Sequence, residues 1–285
     1  MNTKTLFSVA AGMITGAWSA RMIRRKQARH YMQDIERLIT QRNEHIPSRF
    51  TYEQLEELPE PVQRYFRYVL PDGYPYISRI YLKHRGRFKT GPQQAWTPIA
   101  GEEYFTTDPP GFIWRGQTRL FTAYDQYITH RGQLLVRLFD LLKVVDTQGE
   151  HINQGELLRW LGESAWFPTN LLPSRYLRWS PHTTHSAKLS FDYHGLSVYY
   201  LVYFNEQGEI TRLETERYMS HNCMESWVGE LSQYQLWHGV RIPTVIKATW
   251  KLSEGDYTYA EFLLKDIIYY PAHHPQPEEA IPPVG

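Results

Sequence analysis

Asn153-Gln-Gly-Glu-Leu-Leu-Arg-Trp-Leu-Gly-Glu-Ser-Ala-Trp-Phe-Pro-Thr-Asn-Leu-Leu-Pro173 is the clearest helix in a region otherwise written in strands. Asn153 followed by Glu156 has capping-box spacing, which predicts a helix start there. Leu157, Leu158, Trp160, Leu161 and Ala165 recur at helical intervals, and Pro168 prevents the helix from continuing far. Glu156, Arg159 and Glu163 fall three and four residues apart, so one guanidinium can reach two carboxylates. A helix set between two strand runs can bury its apolar face only against the sheet those strands make.

On either side the period is two. In Ile80–Lys89 the residues Ile80, Leu82, Gly86 and Phe88 share one face. Tyr81, Lys83, Arg85, Arg87 and Lys89 share the other, a basic outer side read as solvated. Further strands are predicted at Ile99–Thr106, Phe112–Leu120, Phe121–Ile128 and Gln133–Phe139. Leu134–Val145 reads equally as a buried strand or a short helix. After Pro181 a meander is predicted through Ala187–Tyr193, Leu196–Phe204, Ile210–Tyr218, Trp227–Trp237, Val240–Leu252 and Tyr257–Tyr269. Pro243 is expected at an edge or bulge. The sum is an α+β fold: a curled antiparallel half-barrel of roughly ten or eleven strands, with the inserted helix and N-terminal helices. A curled sheet under a helix offers a place for an apolar ligand.

The 285 residues divide into an N-terminal segment 1–29, a helical spacer 30–50, one body 51–270 and a proline-containing tail 271–285. In the spacer, Tyr31, Ile35, Leu38 and Ile39 form an apolar stripe. The body begins with Thr51–Leu70, where Pro61 suits a helix start and Val62, Tyr65, Phe66, Val69 and Leu70 make a buried face. Hydrophobic residues are 42%, charged 21% and aromatic 15%, an ordinary globular balance apart from the aromatics. The net charge of +1 argues against a nucleic-acid binder. Cys223 is the single cysteine, so no internal disulfide forms.

Leu6–Ala20 is uncharged and is followed at once by Arg21, Arg24, Arg25, Lys26 and Arg29, the reverse of a secretory signal. Extended through Ile23 it gives roughly 27 Å of helix, barely a bilayer core. The reading is an uncleaved membrane anchor with the body held cytoplasmic by charge bias. A cleaved signal, with a periplasmic or extracellular body, and a helix lying in the interface are the alternatives.

Four ordered runs carry a resemblance. Leu58-Pro-Glu-Pro-Val-Gln-Arg-Tyr-Phe-Arg-Tyr-Val-Leu70, Pro109-Pro-Gly-Phe-Ile-Trp114, Gln154-Gly-Glu-Leu-Leu-Arg-Trp-Leu161 and Trp166-Phe-Pro-Thr-Asn-Leu-Leu-Pro173 resemble an uncharacterised bacterial family known as a domain of unknown function. The resemblance runs from about Leu58 to Tyr269 and implies no activity, cofactor or catalytic residue. The layout also resembles the periplasmic lipoprotein-carrier half-barrel lidded by helices, a likeness of architecture alone.

Candidate site residues follow from the helix and its surroundings. Glu156 and Glu163, about 10 Å apart along the axis with Arg159 between, have the spacing of an acid–base pair. The plainer reading of the same three is a surface ion-pair ladder. Trp114, Trp160, Trp166 and Phe167 are expected inside, packing the core or lining a cavity. His182 and His185 lie three apart in a polar loop with no third metal ligand, and Cys223 has only His221 as a basic neighbour. His273 and His274 fall in the tail. No nucleotide loop, Gly-x-Ser-x-Gly elbow or cofactor signature is present, and nothing sets an oligomeric state. The sequence thus predicts a membrane-tethered binder of an apolar or lipid-like ligand held by Trp114, Glu156, Arg159, Trp160, Glu163, Trp166 and Phe167. An enzyme using Glu156 or Glu163 with Arg159, and a filled interaction domain, are the alternatives.

Overall fold

A computed structural model describes residues 3–40 and 47–272, with the backbone alone described over 3–17. The expectations for the tail beyond Ala272, including His273 and His274, and for residues 41–46 of the spacer lie outside the described residues.

Alternating patterns do form one antiparallel sheet. Before the inserted helix come β1 (Ile77–Phe88), β2 (Thr97–Thr106), β3 (Gly111–Gln117), β4 (Phe121–Ile128), β5 (Arg131–Leu138) and β6 (Leu142–Gln148). After it come β7 (Leu177–Thr183), β8 (Ser186–Tyr193), β9 (Leu196–Phe204), β10 (Ile210–Ser220), β11 (Cys223–Trp237), β12 (Val240–Leu252) and β13 (Gly255–Pro271). Each run is a meander, since short turns force neighbours in sequence to be neighbours in space. The first strand then pairs with the last, Ile80 opposite Tyr269 and Phe88 opposite Ala260, which joins the runs side by side. The spatial order is β6-β5-β4-β3-β2-β1-β13-β12-β11-β10-β9-β8-β7, so β6 and β7 are free edges and the sheet does not close.

Thirteen strands among the described residues exceed the expected ten or eleven, and the two additions are the edges. The β5–β6 hairpin turns through Phe139 and Asp140 at φ 53° and 57°. Left-handed turn residues are usually Gly or Asn, so this turn gave no sequence signal and Leu134–Val145 stayed undivided. Strand β7 contains Pro181, which an edge tolerates because one side of its backbone needs no donor. Pro243 also behaves as expected: pairing of β12 with β13 begins only at Val245, so Pro243 lies beyond it.

The inserted helix α3 spans Glu150–Glu163, a start three residues earlier than Asn153. Asn153 is therefore no cap. Its Oδ1 accepts a hydrogen bond from the Gly132 amide at 2.7 Å, tying the first turn of α3 to β5. Two short 3-10 turns, Ser164–Trp166 and Pro168–Leu171, carry the chain onward. The helix touches β4 and β5 on one wing of the sheet and β9 and β10 on the other. The sheet thus curls around it.

Helix α1 runs over Thr3–Ile39 and packs on the opposite, convex face. Tyr31, Ile35 and Leu38 are buried there against Tyr81, Tyr104, Ile113 and Ile128. So Tyr81 is covered, whereas its basic neighbours on β1 stay on the outside. Helix α2 (Glu60–Val69) starts after Pro59 and buries Val62, Tyr65, Phe66 and Val69 in the concave core. Among the described residues no helix is long and apolar enough to cross a membrane. The spanning-anchor reading of Leu6–Ile23 is accordingly not supported: Ser, Thr and Gly dilute the segment and Arg21 cuts it short.

Candidate functional site: a cavity between the sheet and its helix

Between the concave face and α3 lies a cavity of about 610 Å³. Its wall is mostly apolar, with Ile99, Leu134, Val136, Leu213, Leu231 and Ile246 beside the rings of Trp114, Trp227 and Trp250. Two glycines of the sheet make room for rings beside it. A Cβ at Gly116 would sit 2.1 Å from the Trp114 ring, and one at Gly101 would sit 2.2 Å from His84 Nε2, so both rings lie where side chains would otherwise stand.

Polar groups enter from α3 and from the strands that face it. Arg159 on α3 reaches Glu103 Oε1 at 3.0 Å, Asp125 Oδ2 at 2.6 Å and Glu163 Oε1 at 3.0 Å. Its guanidinium also lies over the Phe112 and Trp114 rings, 5.0 and 4.9 Å from their centres. The surface-ladder reading of Glu156, Arg159 and Glu163 is thereby corrected. Arg159 is 13% exposed and Glu163 14%, and Glu156 is buried, because the sheet curls over this face of the helix.

Burial dominates the titration of these acids. It pushes Glu103 and Glu156 well above the usual carboxylate range, and Glu163 upward, with Arg159 opposing in each case. Oε2 of Glu103, Glu156 and Glu163 and Oδ1 of Asp125 are buried with no hydrogen-bond partner among the described residues. His84 is buried and accepts a hydrogen bond from Trp114 Nε1 at 2.7 Å. Burial, then the nearby Arg159, push its pKa down to about 3, so the ring is neutral.

Of the seven residues singled out in sequence, Trp114, Glu156, Arg159 and Glu163 line this cavity. The other three face elsewhere. Trp160 is 1% exposed, donates to the Thr106 carbonyl at 2.9 Å and borders a separate 360 Å³ pocket near Tyr76 and Thr169. Trp166 donates to the Pro243 carbonyl at 3.0 Å, and the Phe167 ring packs 5.0 Å from that of Phe105. These three clamp the C-terminal end of α3 to the sheet. His182 holds Ser186 Oγ at 2.8 Å in a hairpin, and among the described residues no three potential ligands gather for a metal. Cys223 lies 3.3 Å from Glu225, which accepts a hydrogen bond from the thiol and pushes its pKa up.

Glu103, Asp125, His84 and Arg217 escaped the sequence reading, yet alternation carried their signal. Glu103 shares its strand face with Ile99 and Phe105, and Asp125 shares one with Phe121, Ala123 and Tyr127. His84 follows Ile80 and Leu82, and Arg217 follows Leu213 and Thr215. A charged residue in the apolar phase of a strand marks a buried polar group.

Residues 48–262 match the model of a family described as a family of unknown function (DUF6544), and the chain belongs to that family. No curated protein matches it. Among solved structures it is similar to a LolA superfamily protein from Nitrosomonas europaea, at 10% identity and a TM-score of 0.41, over 74% of this chain and 92% of that one. It is similar as well to a domain named for outer membrane lipoprotein sorting from Vibrio parahaemolyticus, at 9% identity and a TM-score of 0.41, over 75% and 92% of the two chains.

Proposed function

We propose that this protein is a non-enzymatic binder of an apolar or lipid-like ligand, held between the concave sheet and α3. The observation that carries this reading is the 610 Å³ cavity itself, apolar over most of its wall and within the size of small-molecule sites. Trp114, Glu156, Arg159 and Glu163 are its proposed contacts among the residues named from sequence. Each buried CH₂ of a ligand contributes about 0.8 kcal/mol, so an acyl chain of ordinary length suffices for retention through purification. Native mass spectrometry of the purified protein tests the reading: adducts of lipid mass are expected, and their absence under gentle desolvation would remove its basis.

The protein is also proposed to associate with membranes through its N-terminal segment, lying in the interface rather than spanning it. Exposed Trp18, Met22 and Ile23 alternate there with Arg21, Arg24 and Arg25.

The raised carboxyl pKa values favour one second reading, a hydrolase using Glu156 or Glu163 with Arg159. Against it, Arg159 is already engaged by three acids. Comparing the ligands carried by wild type and Glu163→Gln separates the two. The same intact molecule in both supports binding, and an intact molecule only in the variant supports hydrolysis.

A further inference from the structure

Arg217 extends from β10 into the cavity. Its guanidinium carbon lies 5.8 Å from the centre of the Trp227 ring. Gly155 of α3 makes room for it, since a Cβ there would stand 3.3 Å from Nε and Nη2. Unlike Arg159, it has no hydrogen-bond or ion-pair partner among the described residues. A guanidinium offers five N–H donors, and donors left unpaired in an apolar wall are costly.

Three acids line the cavity with Arg217: Asp125, Glu156 and Glu163. Asp125 and Glu163 pair with Arg159, and burial pushes the Glu156 carboxyl well above the usual carboxylate range. None of these carboxylates makes an ion pair or a hydrogen bond with Arg217. Resting on the apolar-binder reading, we infer that Arg217 is the head-group site of the cavity, taking the carboxylate or phosphate of a ligand whose apolar chain lies along the sheet. Planar, bidentate pairing is what a guanidinium provides to such oxygens. The Trp227 face holds the cation in place, and the chain meets Leu213, Leu231 and Ile246.

The test is calorimetric titration of the full chain with four twelve-carbon probes below their aggregation concentrations: laurate, dodecyl phosphate, dodecanol and dodecylammonium. Both anions are expected to bind about tenfold or more tighter than dodecanol, the range of a charge-assisted hydrogen bond. The stronger of the two identifies the head group. Arg217→Gln is expected to remove that advantage and leave dodecanol within about threefold of its wild-type affinity. Because the ranking is measured first on the wild type, the test does not depend on the variant folding. Equal binding of dodecanol and the anions, or tighter binding of dodecylammonium, would overturn the role of Arg217 and leave the apolar binder standing. Failure of all four to bind would overturn both.

Discussion

Arg159→Ala would leave Glu103, Asp125 and Glu163 facing one another with their shared cation gone. Removing one partner of a buried ionic cluster exposes the full desolvation cost of the rest, so a loss of about 3–5 kcal/mol is expected in urea unfolding. Glu156→Gln tests the opposite side of the same balance. Burial raises the folded pKa of Glu103, Glu156 and Glu163 above the unfolded value. The native state therefore holds more protons, and their stabilisation is present at acid pH and lost as pH rises through the folded values. Wild type should accordingly be less stable at pH 8 than at pH 5.5, and Glu156→Gln, which imitates the protonated acid, should flatten that slope. A wild-type stability that rises between these pH values would show that burial does not raise these three carboxyls. At this scale the sequence was half legible. The helical spacing joined Arg159 to Glu163, but Glu103 and Asp125 come from strands far away in the chain, and only their apolar phase hinted at burial.

The helix α3 was legible as an element, and its boundaries were not. Its apolar positions Leu157, Leu158, Trp160 and Leu161 are all buried, as a helix between two strand runs requires. Its first turn is set by Gly149 at φ 124° and by the bond from Asn153 to β5, tertiary features that local capping rules do not contain. Trp160→Ala removes the largest side chain of that buried face and the hydrogen bond to Thr106. We expect a loss of about 3–5 kcal/mol from transfer energy and cavity formation. The measurement is the denaturation midpoint, with ligand retention as a second readout. Because Trp160 lies outside the main cavity, a folded Trp160→Ala protein should still bind ligand. Loss of binding without loss of stability would contradict that placement. Edge strands failed to show in sequence for a related reason. They hold one neighbour each, so Pro181 and the glycine-free turn at Phe139–Asp140 are tolerated there and mask the strand pattern.

Over the whole molecule, the two faces of the sheet have separate work. The concave face holds the cavity under α3, and α1 packs on the convex face from Tyr31 onward. The part of α1 before that contact stands beside the β5–β6 tip, where Arg24 Nη2 donates to the Phe139 carbonyl at 3.3 Å. Phe139, Leu142 and Val144 are exposed at that tip, and Val144 also borders the cavity. Basic residues on the helix and large apolar ones on both elements are what an anionic lipid surface attracts, at about 1 kcal/mol per Lys or Arg near it. Flotation with vesicles of phosphatidylcholine and phosphatidylglycerol should carry the full chain upward, and less so as salt rises. Deleting Met1–Arg29 removes the basic block yet keeps Tyr31, Ile35 and Leu38, so the body should stay folded and no longer float. If the truncated protein still floated after a high-salt wash, the attachment would belong to the β5–β6 tip alone. The N-terminal segment would then have no part in it.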